Sequence, residues 1–95
     1  MSDIAELSER EFKRAIKRSQ RERLLAGCAE PSDIVALRAF IGLTQAEFAR
    51  ALGINVHTLR NWEQGRRRPE GPAMALLRIA ARHPKIIREN LATAA

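Results

Sequence analysis

The hydrophobic positions of this chain recur three and four residues apart, in short runs that glycine and proline residues separate. That spacing is typical of amphipathic helices, and no run of residues alternates between apolar and polar in the manner of a strand. We therefore predict an all-α fold. The expected helices span residues 8–26, 33–41, 45–52, 56–64, 72–82 and 85–91.

The clearest break lies at residues 27–32, where Gly-Cys-Ala-Glu-Pro-Ser ends any helix. It predicts two parts, a charged N-terminal arm at residues 1–31 and a five-helix domain at residues 32–95. The domain carries most of the net charge of +6, since residues 33–95 hold ten basic and five acidic side chains. A basic domain of this kind favours a polyanion as its partner.

The arm contains one narrow apolar stripe, formed by Phe12, Ile16 and Leu24. A stripe of this width does not stabilise a helix alone and needs a partner surface. Two interpretations are open. The arm is either a charged helix laid over the rest of the domain, or a helical or partly disordered segment that binds a partner protein through the stripe. Under the second interpretation, residues 32–95 fold without the arm.

Residues 44–65, TQAEFARALGINVHTLRNWEQG, carry the most informative pattern in the chain. Thr44 and Glu47 predict a capping box for one helix, and Gly53 predicts its end in a left-handed conformation. Asn55 is a good cap for a second helix. Two helices joined by a short turn that contains glycine form a helix-turn-helix, whose second helix can enter the major groove of DNA.

The outward face of the second helix carries side chains suited to base recognition. Arginine pairs with guanine in a bidentate contact, asparagine pairs with adenine, and an apolar side chain can meet the thymine methyl group. An ordinary helical hairpin with a solvated polar face is the alternative that the spacing alone leaves open. The candidate base-reading residues are Val56, His57, Arg60 and Asn61, and Thr58 of the same helix is a further candidate DNA contact.

The densest run of charge follows this helix directly, at Arg66, Arg67 and Arg68. The run falls on a predicted loop beside the candidate recognition helix. Such a loop could bind backbone phosphates or enter a minor groove, and we count all three arginines as candidate DNA contacts. A merely solvated loop is the alternative interpretation.

The sequences TQAEFARALGI and NVHTLRNWEQGRRRP resemble the Cro/CI (XRE-type) helix-turn-helix family, found in phage repressors and small bacterial regulators. The resemblance covers about residues 34–77. A second and less specific resemblance is to HigA-type antitoxins and NadS-type regulators. It rests on the helix start Gly-Pro-Ala, the Leu-Leu-Arg run at residues 76–78 and the later His-Pro pair.

The resemblance implies roles for individual residues. It implies that Gln45 binds a backbone phosphate together with the amino end of its helix. Thr44 and Asn55 are helix caps from which a side chain can also reach phosphate. The resemblance further implies a largely buried ion pair between Arg38 and Glu63, with a structural role. Phage repressors often carry glutamines at the base-reading positions, so their operator sequences do not carry over to this chain.

These features together predict a sequence-specific transcriptional repressor that acts as a homodimer on a palindromic, double-stranded DNA operator in the cytoplasm. The resemblance to HigA implies the antitoxin of a type II toxin–antitoxin pair, which represses its own operon and binds a toxin of the RelE-like ribonuclease type. A stand-alone XRE-type regulator without a toxin is the first alternative. A protein-interaction domain that binds no DNA is the second.

Other classes of protein find little support in the sequence. Cyanases also carry a domain like a helix-turn-helix, but this chain has no Ser/His or Cys/His constellation and little chain outside the motif for a catalytic domain. We therefore expect no enzyme. Cys28 is the single cysteine and His57 has no second ligand one turn away, so we expect no metal site and no cofactor. No window is apolar enough for a membrane span.

Overall fold

The computed structural model describes residues 16–93, and this part of the chain consists of helices and loops without a strand. The all-α prediction is confirmed over these residues. They contain six helices, α1 (Arg18–Leu25), α2 (Pro31–Ile41), α3 (Gln45–Leu52), α4 (Val56–Glu63), α5 (Pro72–Arg82) and α6 (Pro84–Thr93).

Helix α1 is the described part of the predicted arm, while the predicted helix start and Phe12 lie outside the described residues. α1 packs against α2 and α5, and Leu24 is completely buried. Arg21 also donates from Nε to the carbonyl oxygen of Ala81 in α5, over 3.4 Å. Over residues 16–25 the arm is therefore laid on the rest of the domain, and a fold without α1 would leave part of the core uncovered.

Helix α2 begins at Pro31, two residues before the predicted start at Asp33. Proline suits the first position of a helix because its φ angle is fixed and its missing amide has no partner there. The N-cap is therefore Glu30, and Ser32, which the predicted start at Asp33 would make the cap, lies inside the helix. The amide of Glu30 donates to Oδ2 of Asp33 over 3.0 Å, so the Asp33 side chain reaches back to the start of its own helix.

Asp33 is fully buried and is bound by Arg23 of α1. The guanidinium donates from Nη2 to Oδ1 over 2.6 Å and from Nε to Oδ2 over 2.8 Å. Burial tends to raise the pKa of this carboxyl group. The hydrogen bonds from Arg23 and from the Glu30 amide, with the positive charge of Arg23, outweigh burial and hold the pKa below its usual value. The pair thus fastens α1 to the start of α2.

A single hydrophobic core receives side chains from all six helices. Trp62 lies three residues after Leu59 on the same face of α4, and it is part of this core with 5% of its surface exposed. Close packing of this kind fixes the relative positions of the helices. The fully buried apolar side chains are Leu24, Ile34, Leu37, Phe48, Leu59, Leu77 and Ala80.

Helix α6 holds the ends of α2 and α3 in place. Arg88 donates from Nη1 to the carbonyl oxygen of Ile41, and Asn90 donates from Nδ2 to that of Ala51, each over 2.5 Å. The last carbonyl groups of a helix have no partner within it, so these side chains satisfy acceptors at two helix ends. None of the helices in the described residues is long and apolar enough to span a membrane.

Candidate nucleic-acid interface

The first helix of the predicted motif begins with the capping box that its sequence predicts. The Thr44 hydroxyl accepts from the amide of Glu47 over 3.1 Å, and the Glu47 carboxylate accepts from the amide of Thr44 over 2.9 Å. The hydrogen bond from the Thr44 amide is the main cause that lowers the pKa of Glu47. Gln45 and Ala46 follow with amides that have no acceptor inside the helix, so this end of α3 is suited to an anion.

The turn between α3 and α4 is short and tightly bonded. Gly53 takes a φ of 74°, a left-handed conformation that side chains with a Cβ rarely adopt. This conformation lets the amide of Ile54 return to the carbonyl oxygen of Ala49 over 2.9 Å. Asn55 then caps α4, since its Oδ1 accepts from the amide of His57 over 2.7 Å. The turn therefore fixes the direction in which α4 leaves α3.

The predicted DNA-contacting side chains of α4 differ in how far they are exposed to solvent. His57 and Arg60 are exposed, whereas Thr58 and Asn61 are half-buried. Val56 is also half-buried and packs against the core, so only part of its surface is available to a thymine methyl group. The helix thus presents a polar face to solvent and its apolar face to the domain.

A hydrogen-bonded network connects this face to the interior. Arg38 of α2 donates from Nε to Oε2 of Glu63 over 2.8 Å and from Nη2 to Oε1 over 3.2 Å. The Glu63 side chain is 5% exposed, so the ion pair is largely buried. Gln45 donates from Nε2 to Oε1 of Glu63 over 2.9 Å and accepts from Arg60 Nε over 3.3 Å. Four side chains from three helices therefore form one chain of contacts.

The loop after α4 brings the three arginines back toward the end of that helix. The amides of Arg66 and Arg67 both donate to the carbonyl oxygen of Asn61, over 2.9 and 3.3 Å. All three arginine side chains are exposed, and Pro69 is buried just beyond them. Because all three side chains are exposed, their guanidinium groups are accessible to phosphate.

The predicted toxin-binding stripe does not lie exposed as a unit. Leu24 is fully buried in the domain's own core, and Ile16 is half-buried against it. Phe12 lies outside the described residues. Leu24 therefore supports the position of α1 and presents no surface to a partner in this conformation.

Sequence reasoning missed two contacts of structural importance. The pair of Arg23 and Asp33 joins residues on two helices, and no local spacing rule relates them. The bond between Gln45 and Glu63 joins the first residue of α3 to the last of α4. In the described part of the chain, no group of three or more His, Cys, Asp or Glu side chains is arranged to hold a metal ion.

Comparison with known proteins gives one family and two relatives. A family model described as the antitoxin component of the bacterial toxin–antitoxin system, MqsA, matches residues 3–90. Antitoxin HigA-2 of Vibrio cholerae serotype O1 is 42% identical over 57 residues, which cover 60% of this chain and 55% of that protein. Antitoxin MqsA of Escherichia coli strain K12 is 32% identical over 59 residues, which cover 62% of this chain and 45% of that protein.

The chain thus spans about half the length of the curated relatives that it matches. No solved structure matches it with significant similarity.

Proposed function

The chain belongs to the family of MqsA antitoxins, the antitoxin components of a bacterial toxin–antitoxin system, and on that premise we propose that it is a DNA-binding antitoxin that represses its own operon. The resemblance to HigA-type antitoxins that the sequence motifs predict is confirmed. Both relatives are named as antitoxins, and their names support the antitoxin part of this proposal.

The contact between Arg60 and Gln45 is the observation that carries the proposal. It joins a candidate base-reading side chain of α4 to a candidate phosphate contact at the start of α3. The exposed loop at residues 66–68 adjoins the end of α4 and adds three positive charges. A recognition helix needs base-reading groups and phosphate anchors on one surface, and this arrangement supplies both.

A homodimer follows from the number of bases that one helix can read. Each chain has a single α4, and recognition helices of this kind contact only a few base pairs. Two chains related by a two-fold axis would read a palindromic operator with half-sites about one helical turn apart. Repression then follows because a dimer bound over a promoter excludes RNA polymerase. The proposed site of action is the cytoplasm, where that DNA lies.

The proposed protein partner is a toxin of the RelE-like ribonuclease type. Residues 1–31 are the proposed binding segment, with Phe12 and Ile16 as direct contacts. Leu24 has an indirect part, since its burial keeps α1 on the domain. The relatives' names support the toxin partner as a class, and the ribonuclease type rests on the HigA resemblance alone.

A reporter experiment tests the repressor role. The DNA upstream of this gene drives a reporter, and the wild-type chain is supplied from a second plasmid. Wild-type protein is expected to lower expression, and Arg60→Ala combined with Asn61→Ala is expected to restore it. Arg78→Ala is the control, since Arg78 is exposed on α5 and belongs to neither motif helix. Full expression in the presence of wild-type protein would overturn the repressor role.

Co-expression with the product of the neighbouring gene tests the antitoxin role. That product alone is expected to stop growth, and the wild-type chain is expected to restore it. Repression of the reporter without a neutralised toxin would instead favour the stand-alone regulator.

A further inference from the structure

The amide of Gln45 is oriented by its two neighbours, and both require the same orientation. Glu63 presents a carboxylate oxygen, which only accepts hydrogen bonds, so the NH₂ group of Gln45 must face it. Arg60 presents Nε–H, which only donates, so the carbonyl oxygen of Gln45 must face that side chain. An amide turned around would place two acceptors together and two donors together. The direction of Gln45 is therefore determined chemically.

The origin of this orientation lies in the interior of the domain. Glu63 is held by two hydrogen bonds from Arg38, and Arg38 also donates from Nη1 to the carbonyl oxygen of Leu43 over 3.2 Å. The carboxylate of Glu63 is therefore fixed with respect to α2. Because charge-assisted, bidentate contacts are strong and directional, the fixed carboxylate of Glu63 in turn fixes the orientation of the Gln45 amide.

The orientation of Gln45 determines which donors of Arg60 remain free. Its Nε is occupied by Gln45, and within the described residues its Nη1 and Nη2 groups donate to nothing. Guanine presents two acceptors in the major groove, O6 and N7, which suit a pair of parallel donors. The edge of Arg60 that carries Nη1 and Nη2 is the pair left free.

We propose that Gln45 is a positioning residue for base recognition, which directs the Nη1 and Nη2 edge of Arg60 at a guanine under the control of the buried Arg38–Glu63 ion pair. This inference rests on the proposed DNA-binding function and deepens it. The implied phosphate contact is compatible with it, since the second N–H of Nε2 and the amide at the helix start remain available. Gln45 itself contacts no base, yet it determines which base Arg60 reads.

The test measures how well wild type and variants discriminate between bases at one position, and not only how tightly they bind. A duplex is selected from a random library with the wild-type protein, and the guanine read by Arg60 is found as the position where Arg60→Ala loses preference. Dissociation constants are then measured for that duplex and for versions with the guanine replaced. Wild type is expected to discriminate by about 5- to 150-fold at this position.

The variant Gln45→Leu is expected to lose most of that discrimination, although leucine keeps a similar volume. Combining Gln45→Leu with Arg60→Ala is expected to lose no more discrimination than Arg60→Ala alone, because both substitutions remove the same interaction. Discrimination at the position read by Asn61 is expected to persist, and this serves as the internal control. Gln45→Ala, which retains helix propensity, is the second variant should leucine disturb the fold.

Three results would overturn the inference. In the first, Gln45→Leu leaves the discrimination ratio unchanged, binds every duplex more weakly and has a salt slope reduced by about one. This result would show that Gln45 is a phosphate contact only. Unaltered base preference in Arg60→Ala would show that Arg60 reads no base. If wild type selects no duplex sequence at all, the proposed function itself fails, and the inference fails with it.

Discussion

Gln45 donates from Nε2 to Oε1 of Glu63 over 2.9 Å, which joins the first residue of α3 to the last residue of α4. The two helices are thereby connected at a second place besides their turn. Since Arg38 of α2 binds the same carboxylate, three helices meet at Glu63. The angle between the helices of the motif is therefore fixed by a polar network as well as by the core.

The first prediction concerns this network. Arg38→Met keeps an apolar stem in place but leaves the Glu63 carboxylate, 5% exposed, without a cation. We expect the free energy of unfolding in urea to fall by about 3 kcal/mol, because an unpaired buried charge is costly. Arg78→Ala removes an exposed arginine of α5 and is expected to change stability by less than about 0.5 kcal/mol. Equal losses from the two variants would contradict a structural role for the pair.

Asp33 gives the second prediction, on pH. Its pKa in the folded chain lies below its usual value, so the native state binds the proton more weakly than the unfolded chain does. Its contribution to stability is therefore complete above about pH 5 and is lost as the pH falls through the folded pKa. Asp33→Asn is expected to lower the Tm at pH 7 and to flatten its decline in acid. The Tm of the variant is still expected to decline somewhat in acid, because the pKa of Glu47 is also lowered in the folded chain. Parallel Tm curves for wild type and variant would contradict this.

The third prediction concerns α1. Leu24 is fully buried, so Leu24→Ala is expected to destabilise the domain by about 2–5 kcal/mol through the cavity it leaves. Val35, 37% exposed on α2, is the matched apolar control, and Val35→Ala is expected to cost less than about 1 kcal/mol. Urea unfolding of both variants decides the matter. A stable Leu24→Ala protein that has lost only toxin binding would return Leu24 to the partner surface.

The fourth prediction distinguishes the role of the loop at residues 66–68 from that of α4, the proposed recognition helix. Arg67→Ala is expected to weaken binding to all duplexes alike and to reduce the salt slope by about one, as for a phosphate contact. Asn61→Ala is expected to cost about 1–3 kcal/mol on the selected duplex and to relax preference at one position. Affinities measured at several salt concentrations distinguish the two. A loss of base preference in Arg67→Ala would show that the loop reads bases.

The elements of the motif were predictable because their signals are local. Thr44, Gly53 and Asn55 each act on amides or dihedral angles within a few residues, so the sequence alone indicates the ends of α3 and α4. The predicted start of α2 is two residues late. Ser32 suits the cap position and Pro31 the first helical position, and only the hydrogen bond from the Glu30 amide to Asp33 distinguishes the two starts.

Contacts between distant residues were not predictable in this way. Periodicity showed that Leu24 faces something apolar, but not that this surface is the domain's own core. The partners Arg23 and Asp33 lie on separate helices, and their meeting depends on how α1 packs. The same holds for Gln45. Its position at the start of α3 indicates a phosphate contact, but its hydrogen bonds with Glu63 and Arg60 depend on how α3 packs against α4.

Selection from a random duplex library, followed by footprinting of the selected duplex, determines whether α4 reads DNA as part of a dimer. We expect a palindrome with half-sites about one helical turn apart, two protected patches and a stoichiometry of two chains per duplex. Enrichment of no sequence, with salt-sensitive coverage that is the same on every duplex, would contradict it.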